Sequence, residues 1–256
     1  MNFECILYEK DQGVATIKLN RPEVLNAMNK QLWFDLQAAL EVAREDIQVK
    51  ALIITGEGRA FSTGADLKES KTRSVEEYRN YLVELQEGSR KIIRFEKPTI
   101  AAINGYALGS GYELALACDI RLMSDDCIWA MPELKLGVIA DVGGTSRLAR
   151  LMGPSRAMEI LLTAREYTAR QALDWGLVNY IYPANDLLAE AEKMVRDMAV
   201  TAPLAGGAVK KIIKRGDGVD LMTQMDMEAN HNSILLRTED FQEGLAAMME
   251  KRAAKW

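Results

Sequence analysis

Residues 97–119 restrict what this 256-residue chain can fold into more than any other stretch. Thr99-Ile-Ala-Ala-Ile103 is a short apolar run between Pro98 and Asn104-Gly105, the pattern of a strand buried in a sheet. Residues 105–111 then hold three glycines, where the backbone must turn sharply or come close to another group. Residues 112–118 have helix-forming composition and are apolar almost all round, so the predicted helix is buried. Glu113 is the exception. A carboxylate in the first turn of a buried helix lies beside backbone N–H groups that lack intrahelical acceptors, a natural place for negative charge. The residues alone leave two readings open: Glu113 caps its own helix, or it does chemistry.

Several function classes are disfavoured by what the chain lacks. Gly109-Ser-Gly111 follows a strand and opens a helix, but Leu114 stands where a dinucleotide fingerprint needs its third glycine. There is no Gly-Lys-Ser/Thr phosphate loop. Net charge is −5, so no general attraction to nucleic acid or anionic membrane is expected. No apolar run approaches the roughly 18 residues that span a bilayer. The N-terminus shows no basic flank before an apolar block, and the cytoplasm is the expected compartment. The three cysteines, Cys5, Cys118 and Cys127, include no Cys-x-x-Cys pair, so neither a disulfide framework nor a metal site is expected. His231, the only histidine, lies in a polar stretch without the context of a nucleophile. Acid–base chemistry in this chain therefore falls to carboxylates.

Taken in order, residues 6–8 and 14–19 read as a hairpin, and Asn29 caps a helix to about residue 46. A buried strand at 51–55, a glycine-containing loop at 56–64 and a long amphipathic helix at 75–95 precede the central stretch. Short strands at 120–123 and 127–129, helices at 147–151, 157–162 and 169–175, and a strand at 177–181 follow. From residue 187 the pattern is helical, interrupted at Pro203 and at 216–218. This predicts an α/β core over 1–195 and a helical region over 196–256. The helical region is rich in Met and Leu, which predicts self-association through faces a small domain cannot bury.

Four segments together resemble one family. They are Asn20-Arg-Pro22 with Leu25-Asn-Ala-Met28; Arg59-Ala-Phe-Ser-Thr-Gly-Ala-Asp-Leu67; Ile103 through Leu114 with Cys118-Asp119; and Met131-Pro-Glu133 with Gly143-Gly-Thr145. Their order and spacing are similar to the enoyl-CoA hydratase/isomerase family, the crotonases, over about residues 3–252. The resemblance implies a spiral of ββα units with a C-terminal helical region that makes homotrimers, often paired into homohexamers. It implies acyl-CoA thioester substrates, with no cofactor beyond the coenzyme A the substrate carries, and an oxyanion hole of two backbone N–H groups. The matching positions are Ala65 and Ser110, the second usually glycine in the family.

The hydratase branch of the family uses two glutamates, matched here by Glu113 and Glu133, 20 residues apart. By resemblance, Glu133 delivers a proton to Cα while Glu113 holds and activates water. Asp66, Leu67 and Lys68 match the segment along which coenzyme A lies, and Lys251 matches a lysine near its nucleotide end. Asp141 departs from the Pro-Gly that hydratases commonly carry there, and is similar to a third carboxylate of dienoyl-CoA isomerases. Its alternative is a loop Asp capping the following helix. The expected function is a 2-enoyl-CoA hydratase. The alternatives are a double-bond isomerase using Asp141, or a non-catalytic acyl-CoA- or RNA-binding protein on the same scaffold. The loop at 68–75 and the helix after it are expected to shape the acyl pocket.

Overall fold

The computed structural model describes residues 3–70, 74–216 and 218–256, so residues 71–73 of the expected pocket-shaping loop lie outside the described residues. The chain opens with β1 (Ile6–Asp11) and β2 (Val14–Leu19), antiparallel with Asp11 opposite Val14. Gln12 and Gly13, both at positive φ, make the two-residue turn, so the first strand runs three residues further than its apolar pattern indicated. A 3-10 turn at Pro22–Val24 leads to α1 (Lys30–Glu45), which Asn29 caps as expected through the Leu32 N–H.

Next come β3 (Ala51–Gly56), β4 (Ala60–Ser62), α2 (Leu67–Ser70) and α3 (Val75–Arg94), the last started by a Ser74–Glu77 capping box. The central stretch forms β5 (Thr99–Ile103), β6 (Tyr106–Leu108) and α4 (Ser110–Ala117). After it come β7 (Ile120–Ser124), β8 (Ile128–Ala130), a 3-10 turn at Glu133–Leu136, α5 (Gly144–Met152) and α6 (Pro154–Thr163). The chain closes with β9 (Glu166–Thr168), α7 (Ala169–Asp174), β10 (Tyr180–Tyr182) and α8 (Leu187–Met198). Then come α9 (Pro203–Gly216), α10 (Leu221–Leu235) and α11 (Glu239–Glu250).

The strands divide between two sheets, ordered β1-β2-β3-β5-β7-β10 and β4-β6-β8-β9. Each pair of consecutive strands from β3 to β8 puts one strand on each sheet before a helix carries the chain to the next turn. That is the ββα spiral, and its inner strands run parallel because each turn repeats the same path. β3 and β5 are buried at every position, since the larger sheet is covered on both faces. Leu52 and Ile54 pack with α1 and α4 on one side, while Ile53 packs with Leu187, Ala191 and Val195 of α8 on the other.

The β4, β6 and β9 strands were not anticipated. At three residues each they are too short to show alternation, and glycines flanking the first two read as loop. The strand expected at 177–181 is instead Tyr180–Tyr182; Leu177 and Val178 are buried as core residues ahead of it. Among the described residues, no helix is long and apolar enough to cross a membrane.

Candidate active site

The spiral brings the starts of α4 and α5 and the turn after β8 to one place, and three carboxylates meet there. Glu113, on the first turn of α4, is 1% exposed. It does not cap its own helix: the N-cap is Gly109, with no side-chain bond. Its Oε1 reaches the loop before α5 and accepts the N–H groups of Val142 at 2.9 Å and Gly144 at 2.6 Å. Burial pushes the Glu113 carboxyl up to about 8, helped by the charges of Glu133 and Asp141 and opposed by the two N–H bonds.

Glu133 begins the 3-10 turn after Pro132. Both of its carboxylate oxygens are buried with no hydrogen-bond partner among the described residues. Burial raises its pKa, and the charge of Asp141 raises it further. Glu133 also explains Gly109, which has φ +51°. A Cβ there would lie 2.8 Å from Glu133 Oε1, so only glycine lets the carboxylate come against the start of α4.

Asp141 is half-buried, and the Tyr78 hydroxyl of α3 donates to its Oδ2 at 3.4 Å. Burial raises its pKa too. It does not cap α5, whose N-cap is Gly143 with no side-chain bond. The capping alternative is therefore not realised.

Ala65 and Ser110, the positions expected to supply the two donors, lie on neighbouring segments. Ala65 sits in a parallel bridge to Met28 that uses the Gly64 carbonyl and the Asp66 N–H, so the Ala65 N–H points away from it. Ser110 is the first residue of α4, where the N–H has no intrahelical acceptor. Gly64, at φ +91°, holds the two segments together: a Cβ on it would lie 2.8 Å from Leu108 O and 3.3 Å from Ser110 N. Ser110 is buried, and its hydroxyl has no hydrogen-bond partner among the described residues.

The coenzyme A positions are more dispersed. Leu67 and Lys68 are exposed on α2, next to Ala65. The Asp66 carboxylate is engaged by Arg21 Nη1 at 3.0 Å and by the Lys68 N–H at 3.2 Å. Lys251 is the exposed C-cap of α11 and makes no side-chain bond to the carboxylate cluster among the described residues. No group of three or more His, Cys, Asp or Glu positioned to hold a metal ion occurs among the described residues.

Four supporting residues carried no assigned role in the sequence. Arg21 donates to Ala27 O at 2.6 Å as well as to Asp66. Asn26, at φ 55° and fully buried, donates to Glu57 O and Ala60 O and accepts from Arg21 N–H, bracing the turn that presents Ala65. Both lie in quoted motif segments, which was the signal available. Tyr78 and Gln86, which holds the Asp141 carbonyl at 2.8 Å, lie on α3 with no motif to mark them.

Residues 9–256 match the family model described as enoyl-CoA hydratase/isomerase. A crotonyl-CoA hydratase of Syntrophomonas wolfei subsp. wolfei is 37% identical, with 100% of this chain and 99% of that protein covered. A 2,3-dehydroadipyl-CoA hydratase of Escherichia coli (strain K12) is 36% identical, with 96% of each chain covered. Among solved structures, an enoyl-CoA hydratase from Bacillus anthracis superposes with a TM-score of 0.95 at 35% identity, over 99% of each chain.

Proposed function

The chain belongs to the enoyl-CoA hydratase/isomerase family and has its crotonase fold, and from that premise we propose that it adds water across the 2,3 double bond of a 2-enoyl-CoA. The observation that carries this reading is the carboxylate pair. Glu113 has Oε1 held by two N–H groups, and Glu133 has no partner on either oxygen. Hydration needs an activated water at Cβ and a proton at Cα. Bonds from N–H groups favour a carboxylate, while a buried oxygen without a donor favours the acid. Glu113, raised to about 8 despite those bonds, works as base from its ionised fraction, and Glu133 supplies the proton at Cα. Full burial of Glu113 and partial burial of Glu133 raise both pKa values, which favours a proton held on the pair near neutral pH.

The chemistry then runs as follows. The Ala65 and Ser110 N–H groups receive the thioester oxygen, whose negative charge grows as water adds to Cβ. Such preset donors are worth about 3–4 kcal/mol each in the barrier, and the positive end of α4 adds to them. The proton leaving the water passes to Glu113 Oε2. The resulting enolate takes its proton at Cα from Glu133, giving the 3-hydroxyacyl-CoA. Proton exchange between the two carboxyls restores the starting state. Asp66, Leu67 and Lys68 flank the hole where coenzyme A would run.

Asp141 favours a second reading. Its charge acts on both glutamates, and it stands half-buried beside Tyr78. A third carboxylate there would serve proton transfer at a carbon beyond Cβ, as in a double-bond isomerase. Two assays separate the readings. Hydration of a 2-trans-enoyl-CoA removes the ultraviolet absorbance of the conjugated thioester; isomerisation of a 3-enoyl-CoA creates it. The hydratase reading requires fast loss with the first substrate. No loss with the first and gain with the second would replace it with the isomerase, and Asp141→Asn would then abolish turnover.

Residues 196–256 form the assembly region in this reading, with 1–195 carrying the site. Helix α10 buries none of its residues, and Leu221, Met222 and Ile234 are largely exposed. Apolar surface of that kind is covered by a second copy. A trimer or hexamer in light scattering supports this, and a monomer at micromolar concentration refutes it.

A further inference from the structure

A cleft of about 570 Å³ lies between α9 and the face formed by α3, α4 and α5. Its size is that of a small-molecule site. Two features mark it. The first is charge: among the described residues, Arg121, Arg147, Lys210 and Lys214 line it with one carboxylate, Asp119.

The two lysines share the single Asp119 carboxylate, and neutral groups hold the two arginines. Arg121 donates to the carbonyls of Leu177 and Cys118, and Arg147 to the Val142 carbonyl and the Ser89 hydroxyl. Lys210 donates to Lys97 O at 3.0 Å and meets Asp119 Oδ2 at 2.7 Å, while Lys214 stands 3.5 Å from Asp119 Oδ1. Neutral carbonyls satisfy N–H groups but leave the charge, and an excess of charge removed from water is costly. Burial accordingly pushes both Lys210 and Arg147 below their ordinary pKa values. The second feature is the apolar remainder of the wall, supplied by Ile93, Leu116, Leu151 and Val209. A bare inorganic anion would answer the charge and leave this surface wet. A cation would answer neither, and a neutral lipid would cover the wall but leave the charge.

We infer that this cleft binds an amphipathic monoanion, an alkyl carboxylate whose head group meets Lys214, Lys210 and Arg147 and whose chain covers Ile93, Leu151 and Val209. The site is separate from the proposed hydration chemistry and does not depend on it. Arg147 nevertheless connects them. Its Nη1 holds the carbonyl of Val142 at 3.1 Å, and the Val142 N–H holds Glu113.

Decanoate, decanol and inorganic sulfate serve as probes in isothermal titration calorimetry of the full-length protein, with and without a saturating acyl-CoA. We expect decanoate to bind equally well in both conditions, and decanol and sulfate each at least about tenfold more weakly. Lys214→Glu should weaken decanoate binding by about tenfold or more, and Lys214→Gln by less, with the thermal transition of each variant as the fold control. Displacement of decanoate by acyl-CoA would place it in the acyl pocket and overturn the inference. So would unchanged binding in both Lys214 variants, or equal binding of decanol or of sulfate.

Discussion

Replacing Glu113 with glutamine separates its ionisation from its hydrogen bonds. The amide keeps a carbonyl oxygen for the Val142 and Gly144 N–H groups, which Glu113 Oε1 now accepts at 2.9 and 2.6 Å. It cannot ionise. Folding moves the Glu113 carboxyl from 4.5 to about 8, chiefly by burial. The folded state therefore keeps a proton over a pH range in which the unfolded chain has lost it, so stability falls as pH rises from about 4.5 toward 8. At about 1.36 kcal/mol per pH unit, the interval from 4.5 to about 8 amounts to as much as about 5 kcal/mol. Glu113→Gln lacks this loss. Its stability should match the wild type at about pH 4.5 and exceed it increasingly up to about pH 8, after which the gap is constant. Urea unfolding of both proteins at each pH, followed by circular dichroism, measures the gap. Parallel stability curves from pH 5 to 9 would refute the reasoning, since a carboxyl that titrates normally produces no divergence.

Three further outcomes follow from the same geometry. Ser110→Pro removes one oxyanion donor at a helix position that tolerates proline; hydration should fall about 10²–10³-fold, with the thermal transition retained, while Ser110→Ala stays active. Gly109→Ala sets a Cβ 2.8 Å from Glu133 Oε1 at φ +51°, so turnover should drop at least about tenfold as the carboxylate is displaced, with little change in the Km for acyl-CoA. Asn26→Ala deletes three hydrogen bonds of a buried side chain at a left-handed position; about 3 kcal/mol of stability should be lost in urea unfolding, and activity should fall with it because the Ala65 loop loses its brace.

The legible part of this molecule is the part with long or unusual patterns. The buried strand at 99–103, the Asn29 cap and the long helix from Val75 each follow from periodicity and end signals, and each is where those signals place it. The glycines at 105–111 announced close approach, and the structure supplies the partners: the Arg59 carbonyl at Gly105, Glu133 at Gly109 and Ser62 at Gly111. The three-residue strands β4, β6 and β9 were illegible because nothing so short shows a period; they exist because neighbouring turns of the spiral pair with them. In the site, Glu113 stood out as a lone carboxylate in an apolar helix. What holds it, the Val142 and Gly144 N–H groups about 30 residues away, has no local signature. The same is true of Tyr78 against Asp141, 63 residues apart. Side-chain chemistry could be read from the chain; the backbone donors that set its protonation could not.

The central claim is that Glu113 and Glu133 divide water activation and Cα protonation between them. The measurement that tests it most directly is the initial rate of absorbance loss from a 2-trans-enoyl-CoA for wild type, Glu113→Gln and Glu133→Gln at neutral pH. Rapid loss is expected with wild type and a fall of about a thousandfold or more with each variant, while each variant still binds the thioester and keeps its cooperative unfolding. Near-wild-type turnover in either variant would contradict it.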